Sequence, residues 1–291
     1  MEKYKKQKPP MSIRQQIINL KELGLIVENE DYAEHILNDI SYFRLIKAYS
    51  LNLKIRNGSY FDGVTFENIV ELYLFNANFR QLIFAQIEKI EINTRCRVGN
   101  YFSEKYGVLG YRECEHFSRE DYHKVFLKDI EAEIRRNARA PFVKNFLENY
   151  EEGALPFYAL VEIFSFGTLS KFYKNMKNED KKEIAKTFGI GYTYFESWLE
   201  SIAYVRNICA HYGRLYNAKL AKMPQLYREY SKKGISNNRI FAVLLCMKII
   251  QKADKHWRIF IDEIEMLFDR YEGIDIHTMG FPENWKKMLY I

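Results

Sequence analysis

The chain has 291 residues, 47% of them hydrophobic and 28% charged. That is enough length and apolar content for one large or two modest cored domains, and it excludes disordered and collagen-like classes. With 44 Lys+Arg against 38 Asp+Glu the formal charge is +6, which permits a polyanionic partner without requiring one.

The 22 Tyr and 21 Phe stand beside only 14 Gly and 6 Pro, so chain punctuation is sparse and long elements are favoured. Cys96, Cys114, Cys209 and Cys246 are scattered without a Cys-x-x-Cys pair. This points to a reduced, cytoplasmic protein with no structural zinc, and no metal or cofactor is expected. The basic cluster Lys3, Lys5, Lys6 and Lys8 reads as a solvated tail. It runs into Pro9-Pro10 instead of an apolar segment, and no apolar run approaches the ~20 residues of a membrane span.

The periodicity is helical almost throughout. Ser12 and Gln15 form a capping box opening a first helix, with Gly24 as its C′ residue. A second helix is expected over Asp31 to Leu37, and the aromatic stretch Ser41 to Tyr49 continues the pattern. Asn57-Gly58 and Asp62-Gly63 mark turns, the one place where a short hairpin is allowed. Thr65 then caps a long pattern from Phe66 to Tyr106, one bent helix or two abutting ones, which Gly107 ends.

Further helices are expected over Arg119 to Arg139 and Phe157 to Phe164. Ser165-Phe166-Gly167-Thr168 breaks the chain, as a helix corner or the wall of a pocket, before a restart at about Leu169. A box Thr193-x-x-Glu196 opens another helix, and the last patterns are Asn237 to Ala253 and His256 to Tyr271. With no internal repeats and no long linkers, the expected fold is all-α. It divides into an N-terminal helical subdomain over residues 1–63 and a larger helical part over 64–291, packed as one unit.

The chemistry concentrates in Arg206-Asn207-Ile208-Cys209-Ala210-His211, followed by Tyr212, Gly213, Arg214 and Asn217. A histidine titrates near neutral pH and can take the proton of a 2′-hydroxyl or give one to a leaving 5′-oxygen. An arginine fork can hold and neutralise the phosphate between them. Such residues near a helix end also satisfy loose carbonyls, which is the structural alternative. On an ideal helix Asn207 and His211 lie about 40° apart, whereas Arg206 lies about 140° from His211. Either the helix loosens before Gly213, or two copies of the chain complete one cleft across a twofold axis.

The segment Val205 to Asn217 resembles the Arg-Asn-x-x-x-His signature of the HEPN ribonuclease superfamily, in the form found in Abi-like abortive-infection proteins (the AbiD/AbiF group). Ser41 to Tyr49, Phe66 to Tyr73, Ile87 to Arg95, Leu155 to Leu169 and Met279 to Trp285 fit the same pattern in order. The resemblance implies a HEPN-like helical bundle and phage defence through toxicity, with RNA as the target and in some relatives a structured small RNA as antitoxin. It carries over Arg206, Asn207 and His211 as the active-site signature. Arg214 and Asn217 match family positions without an assigned role, and with Tyr212, which can stack a base, they are candidates for RNA binding.

Glu88, Glu91 and Arg95 share one face of the long helix. They are candidates to border the cleft and orient Arg206 or His211, or to lock two helices as a partly buried ion-pair cluster; Glu162 and Glu200 allow the same two readings. His35, His116, His123, His256 and His277 show no ligand spacing and read as surface or capping residues. The expected activity is metal-independent RNA cleavage by a homodimer, giving a 2′,3′-cyclic phosphate and a 5′-hydroxyl. The rivals are a non-catalytic protein that holds a small RNA, and a helical interaction protein with no RNA role.

Overall fold

In the computed structural model, which describes residues 9–252 and 255–290, the Ser12 side chain accepts the N–H of Gln15 and the Gln15 side chain accepts that of Ser12. The expected capping box therefore opens α1 (Ile13–Glu22), and the chain leaves it through Gly24 at φ +86. Helix α2 (Glu30–Asp39) starts just before the expected Asp31, because the Asn29 side chain accepts the N–H of Tyr32. Phe43–Lys47 winds as a π-helix. The allowed hairpin reduces to one antiparallel bridge between Lys54 and Tyr60, and no strand occurs among the described residues.

Thr65 and Asn68 cap each other's backbone at the start of α3 (Phe66–Tyr106), which is a single helix of 41 residues ended by Gly107 at φ +78. The chain divides into two units, Met1–Phe79 with Arg270–Ile274, and Arg80–Asp269 with Asp275–Ile291. In the first unit the buried side chains Ile17, Leu20, Ala33, Leu37, Phe66 and Phe75 form the core. Tyr271 closes it, its ring edge-on to Phe75 at 5.7 Å and its hydroxyl accepting from Asn78 at 3.2 Å.

The second unit holds α4 (Glu120–Asn137), α5 (Pro141–Asn149), α6 (Phe157–Leu160), α7 (Phe166–Asn175), α8 (Asn178–Phe188) and α9 (Tyr192–Ala210). It continues through α10 (Arg228–Lys232), α11 (Ile240–Gln251), α12 (Lys255–Arg270) and α13 (Trp285–Leu289). Much of the aromatic excess is spent on its core. Phe157 and Phe172 stack at 4.7 Å, with Phe102, Phe117, Phe126 and Phe164 around them at 4.7 to 6.1 Å. Helix α11 is buried along its whole run from Ile240 to Met247, as befits a helix apolar all round.

Helix α7 begins at Phe166 instead of Leu169, because Ser165 accepts the N–H of Thr168 and draws Gly167 into the first turn. The box at Thr193 does not form: α9 starts at Tyr192 with Gly191 as its N-cap, and Glu196 instead receives Lys181 at 2.9 Å. Helices α5 and α8 were not expected at all. His123 is a core residue, 2% exposed, hydrogen-bonded through Nε2 to the Tyr111 carbonyl and stacked on Phe117 at 4.5 Å. Lys3, Lys5, Lys6, Lys8 and Ala253 lie outside the described residues.

A buried carboxylate fixes the end of α3 to α8. Asp180, fully buried, accepts hydrogen bonds from Tyr101 at 2.8 Å and Tyr106 at 2.7 Å and pairs with Lys105. This satisfaction is what lets a charge sit inside a protein. Among the described residues no single helix is long and apolar enough to cross a membrane.

Candidate functional site

Helix α9 is anchored by its apolar face. Phe195, Trp198, Leu199, Ile202 and Val205 are buried, Tyr173 of α7 meets Phe195 edge-on at 5.2 Å, and the Trp198 indole donates to the Gln225 carbonyl at 2.7 Å. The helix thus carries Arg206, Asn207 and His211 at its C-terminal end on a rigid stem.

It stops through a Schellman arrangement. Gly213 N–H donates to Ile208 O at 2.7 Å and Tyr212 N–H to Cys209 O at 3.2 Å, around His211 as C-cap. The left-handed position usually given to glycine is occupied by Tyr212 at φ +58, a strain on the order of 1–2 kcal/mol. Gly213 is required where it stands: a Cβ there would lie 2.8 Å from Ile208 Cγ2.

The three signature side chains leave the helix in different directions. Arg206 turns toward α3, where its Nε lies 3.5 Å from Glu91 Oε2 and its guanidinium lies 5.7 Å from the centroid of the Phe84 ring. That Nε is buried without a hydrogen bond, so the contact with Glu91 is purely one of charge. Glu91 in turn accepts from Arg95 Nη2 at 2.7 Å. Arg95 donates onward to the carbonyls of Glu162 at 2.6 Å and Phe164 at 2.9 Å, so it also clamps α3 to the chain before α7.

The Glu91–Arg95 pair therefore locks helices and places one carboxylate oxygen beside Arg206. Glu88 stays exposed and has no ion pair among the described residues. Glu162 remains at the edge, its carboxylate 3.8 Å from Arg95.

Asn207 faces an open groove of about 520 Å³ between α4, α7 and α9. Tyr122 and Phe126 of α4, Gly167 and Thr168 in the first turn of α7, and Tyr204 of α9 line it, so the corner before α7 shapes a pocket. Glu200 crosses its rim, reaching Lys222 at 2.6 Å and Lys174 at 3.3 Å, and its carboxyl is held below the usual range mainly by the hydrogen bond from Lys222. His211 is exposed at the helix end, and Tyr212 beyond it is 66% exposed.

Beneath Tyr212 lies a residue that the sequence reading missed. Arg80 of α3, only 7% exposed, has its guanidinium 5.7 Å from the centre of the Tyr212 ring. The signal was an arginine in register with the buried Ile83, Ile87 and Ile90. Asn217 serves elsewhere, its side chain accepting from Arg239 at 3.0 Å from a left-handed backbone at φ +48, and Arg214 is partly exposed.

Fold and site together define an all-helical protein that presents an Arg-Asn-x-x-x-His signature at the terminus of a buried helix. A family model described as Abi-like protein matches residues 35–217, more than half of the chain and the whole of the signature. The chain belongs to the Abi-like abortive-infection family. No curated protein and no solved structure matches it.

Proposed function

We propose that the chain is an abortive-infection toxin acting in the cytoplasm as a metal-independent endoribonuclease. The observation that carries this reading is the end of α9, where an exposed imidazole, a groove-facing amide and a guanidinium backed by one carboxylate stand within six residues. His211 takes the proton of a 2′-hydroxyl, whose oxygen attacks the adjacent phosphorus. Arg206 neutralises the phosphate as charge develops, and the 5′-oxygen leaves with a proton from a second imidazole. Asn207 orients the nucleotide at the mouth of the groove, and Tyr212 offers a ring for stacking.

Because α9 stays helical through Ala210, Arg206 and His211 keep their divergence of about 140°. This supports a homodimer in which each copy supplies what the other's cleft lacks. A bound small RNA would restrain the enzyme by occupying the same cations.

The test is cleavage of mixed RNA in EDTA by the purified protein, by Arg206→Ala and by His211→Ala. Loss of cleavage in both variants with unchanged thermal unfolding is expected. Saturable, salt-sensitive RNA binding without turnover in the parent protein would replace the reading with a non-catalytic RNA holder.

A further inference from the structure

About 160° around α3 from Glu91, the side chains Lys89, Asn93 and Arg97 follow one another at four-residue intervals along a single face. They line one side of an open pocket of about 170 Å³, whose other walls are Thr187 and Phe188 in the last turn of α8 and the end of α11 with its C-cap Lys252. Three of the lining side chains are cations and none is acidic. Among the described residues none of the three has a carboxylate within ion-pair range; Asp254 lies outside them.

The arginine is already set in place. Its Nη1 donates to the Thr187 carbonyl at 2.6 Å and to the Thr187 hydroxyl at 2.8 Å, while its guanidinium lies 4.1 Å from the centre of the Phe188 ring. Both bonds use one nitrogen, which leaves the rest of the fork as donors. Gly189, at φ +70, gives Lys252 its room: a Cβ there would stand 3.1 Å from Lys252 Nζ.

Capping alone does not account for so much charge. Two helix C-termini contribute about −0.5 each, against three full positive charges, which leaves an excess of about +2. Arg97 already satisfies the α8 carbonyl it reaches. We propose that this pocket is a binding site for a phosphomonoester, the dianionic group carried by a free nucleotide or by the 5′ end of an RNA. A backbone phosphodiester, with one charge, matches the excess less well. The site is independent of the Arg206 cleft, and Lys252 lies beyond the residues shared with the family.

Calorimetric titration of the full chain tests it, with inorganic phosphate, AMP, and one 2′-O-methyl RNA hexamer, which lacks the nucleophile for cleavage, carrying either a 5′-phosphate or a 5′-hydroxyl. One saturable inorganic phosphate is expected whose affinity falls more than tenfold in Lys89→Glu/Lys252→Glu. Both lysines are exposed, so thermal unfolding of the double variant should match the parent. Arg97→Lys, which keeps the charge and loses the fork, should weaken binding severalfold.

Preference for AMP identifies a free nucleotide as the source, and preference for the 5′-phosphorylated hexamer over its hydroxyl form identifies an RNA end. Absence of saturation with any phosphomonoester, or equal affinity in the double variant, would overturn the proposal.

Discussion

Arg206 Nε stands 3.5 Å from Glu91 Oε2 without a hydrogen bond between them, while the other oxygen of the same carboxylate is tied to Arg95 at 2.7 Å. Glu91 is thus shared unequally: it is bonded to the arginine that holds helices together and merely faces the one proposed to hold phosphate. Such a counter-charge keeps Arg206 in place when no anion is bound and competes with the anion when one arrives. Glu91→Gln preserves the shape and an acceptor for Arg95. It is expected to cost about 1–3 kcal/mol of stability through the weakened charged bond, yet to tighten RNA binding several-fold. Chemical denaturation and salt-dependent binding measure the two effects separately, and a variant that binds RNA more weakly contradicts this role.

Tyr212 occupies a left-handed position beside His211 and is 66% exposed. Relief of that strain opposes the loss of its contact with Arg80 and the entropy of a new glycine, itself on the order of 0.5–1 kcal/mol. Tyr212→Gly should therefore leave the melting temperature unchanged or slightly raised while RNA affinity falls, as expected of a ring retained for stacking. A loss of more than about 1 kcal/mol would mark Tyr212 as structural.

The cluster at Asp180 predicts alkaline sensitivity. Lys105 is raised above the usual lysine range chiefly by its hydrogen bond to Asp180, and Tyr101 is raised to about 12, chiefly by burial and then by Asp180. Groups whose folded values are raised stabilise fully below their unfolded values of about 10 and lose that contribution as pH rises through the folded ones. Stability should thus fall steeply from about pH 10 to 12. Asp180→Asn should be less stable at pH 7 and show a shallower alkaline slope, because the lysine loses its partner. Equal slopes in urea unfolding across that window would contradict the assignment.

Cysteine chemistry separates the two kinds of thiol. Burial pushes Cys209, within the signature, up to about 12, and raises the fully buried Cys246 well above the ordinary value, whereas Cys96 and Cys114 are exposed. Alkylation of the native protein at pH 7.5, read by peptide mass spectrometry, should modify Cys96 and Cys114 and spare the other two. Rapid labelling of Cys209 would mean that the end of α9 opens.

Where a local signal fixed an element, the sequence disclosed it. The Ser12–Gln15 box, the Thr65 cap with its long apolar period, and the signature at the end of α9 all stand where their residues put them. What stayed hidden depends on tertiary partners. Helix α8 has Lys177 as its N-cap, without a capping bond, and is held by the burial of Asp180 and Ile184. The Thr193 box failed because Glu196 found Lys181. Arg80 gave no sign of its partner, which lies 132 residues away in Tyr212. The divergence of Arg206 from His211 was legible as helix geometry, but that Glu91 stands against Arg206 was only one of two readings until α3 and α9 were seen side by side.

The most direct test uses an RNA oligonucleotide with one mapped cleavage site, made again with a single 2′-deoxy nucleotide on the 5′ side of that linkage and incubated with the protein in EDTA. The unmodified RNA is expected to yield a 2′,3′-cyclic phosphate and a 5′-hydroxyl, and the deoxy substitution to abolish cutting there because the nucleophile is gone. Continued cleavage at the deoxy linkage, with a 5′-phosphate on the product, would contradict it.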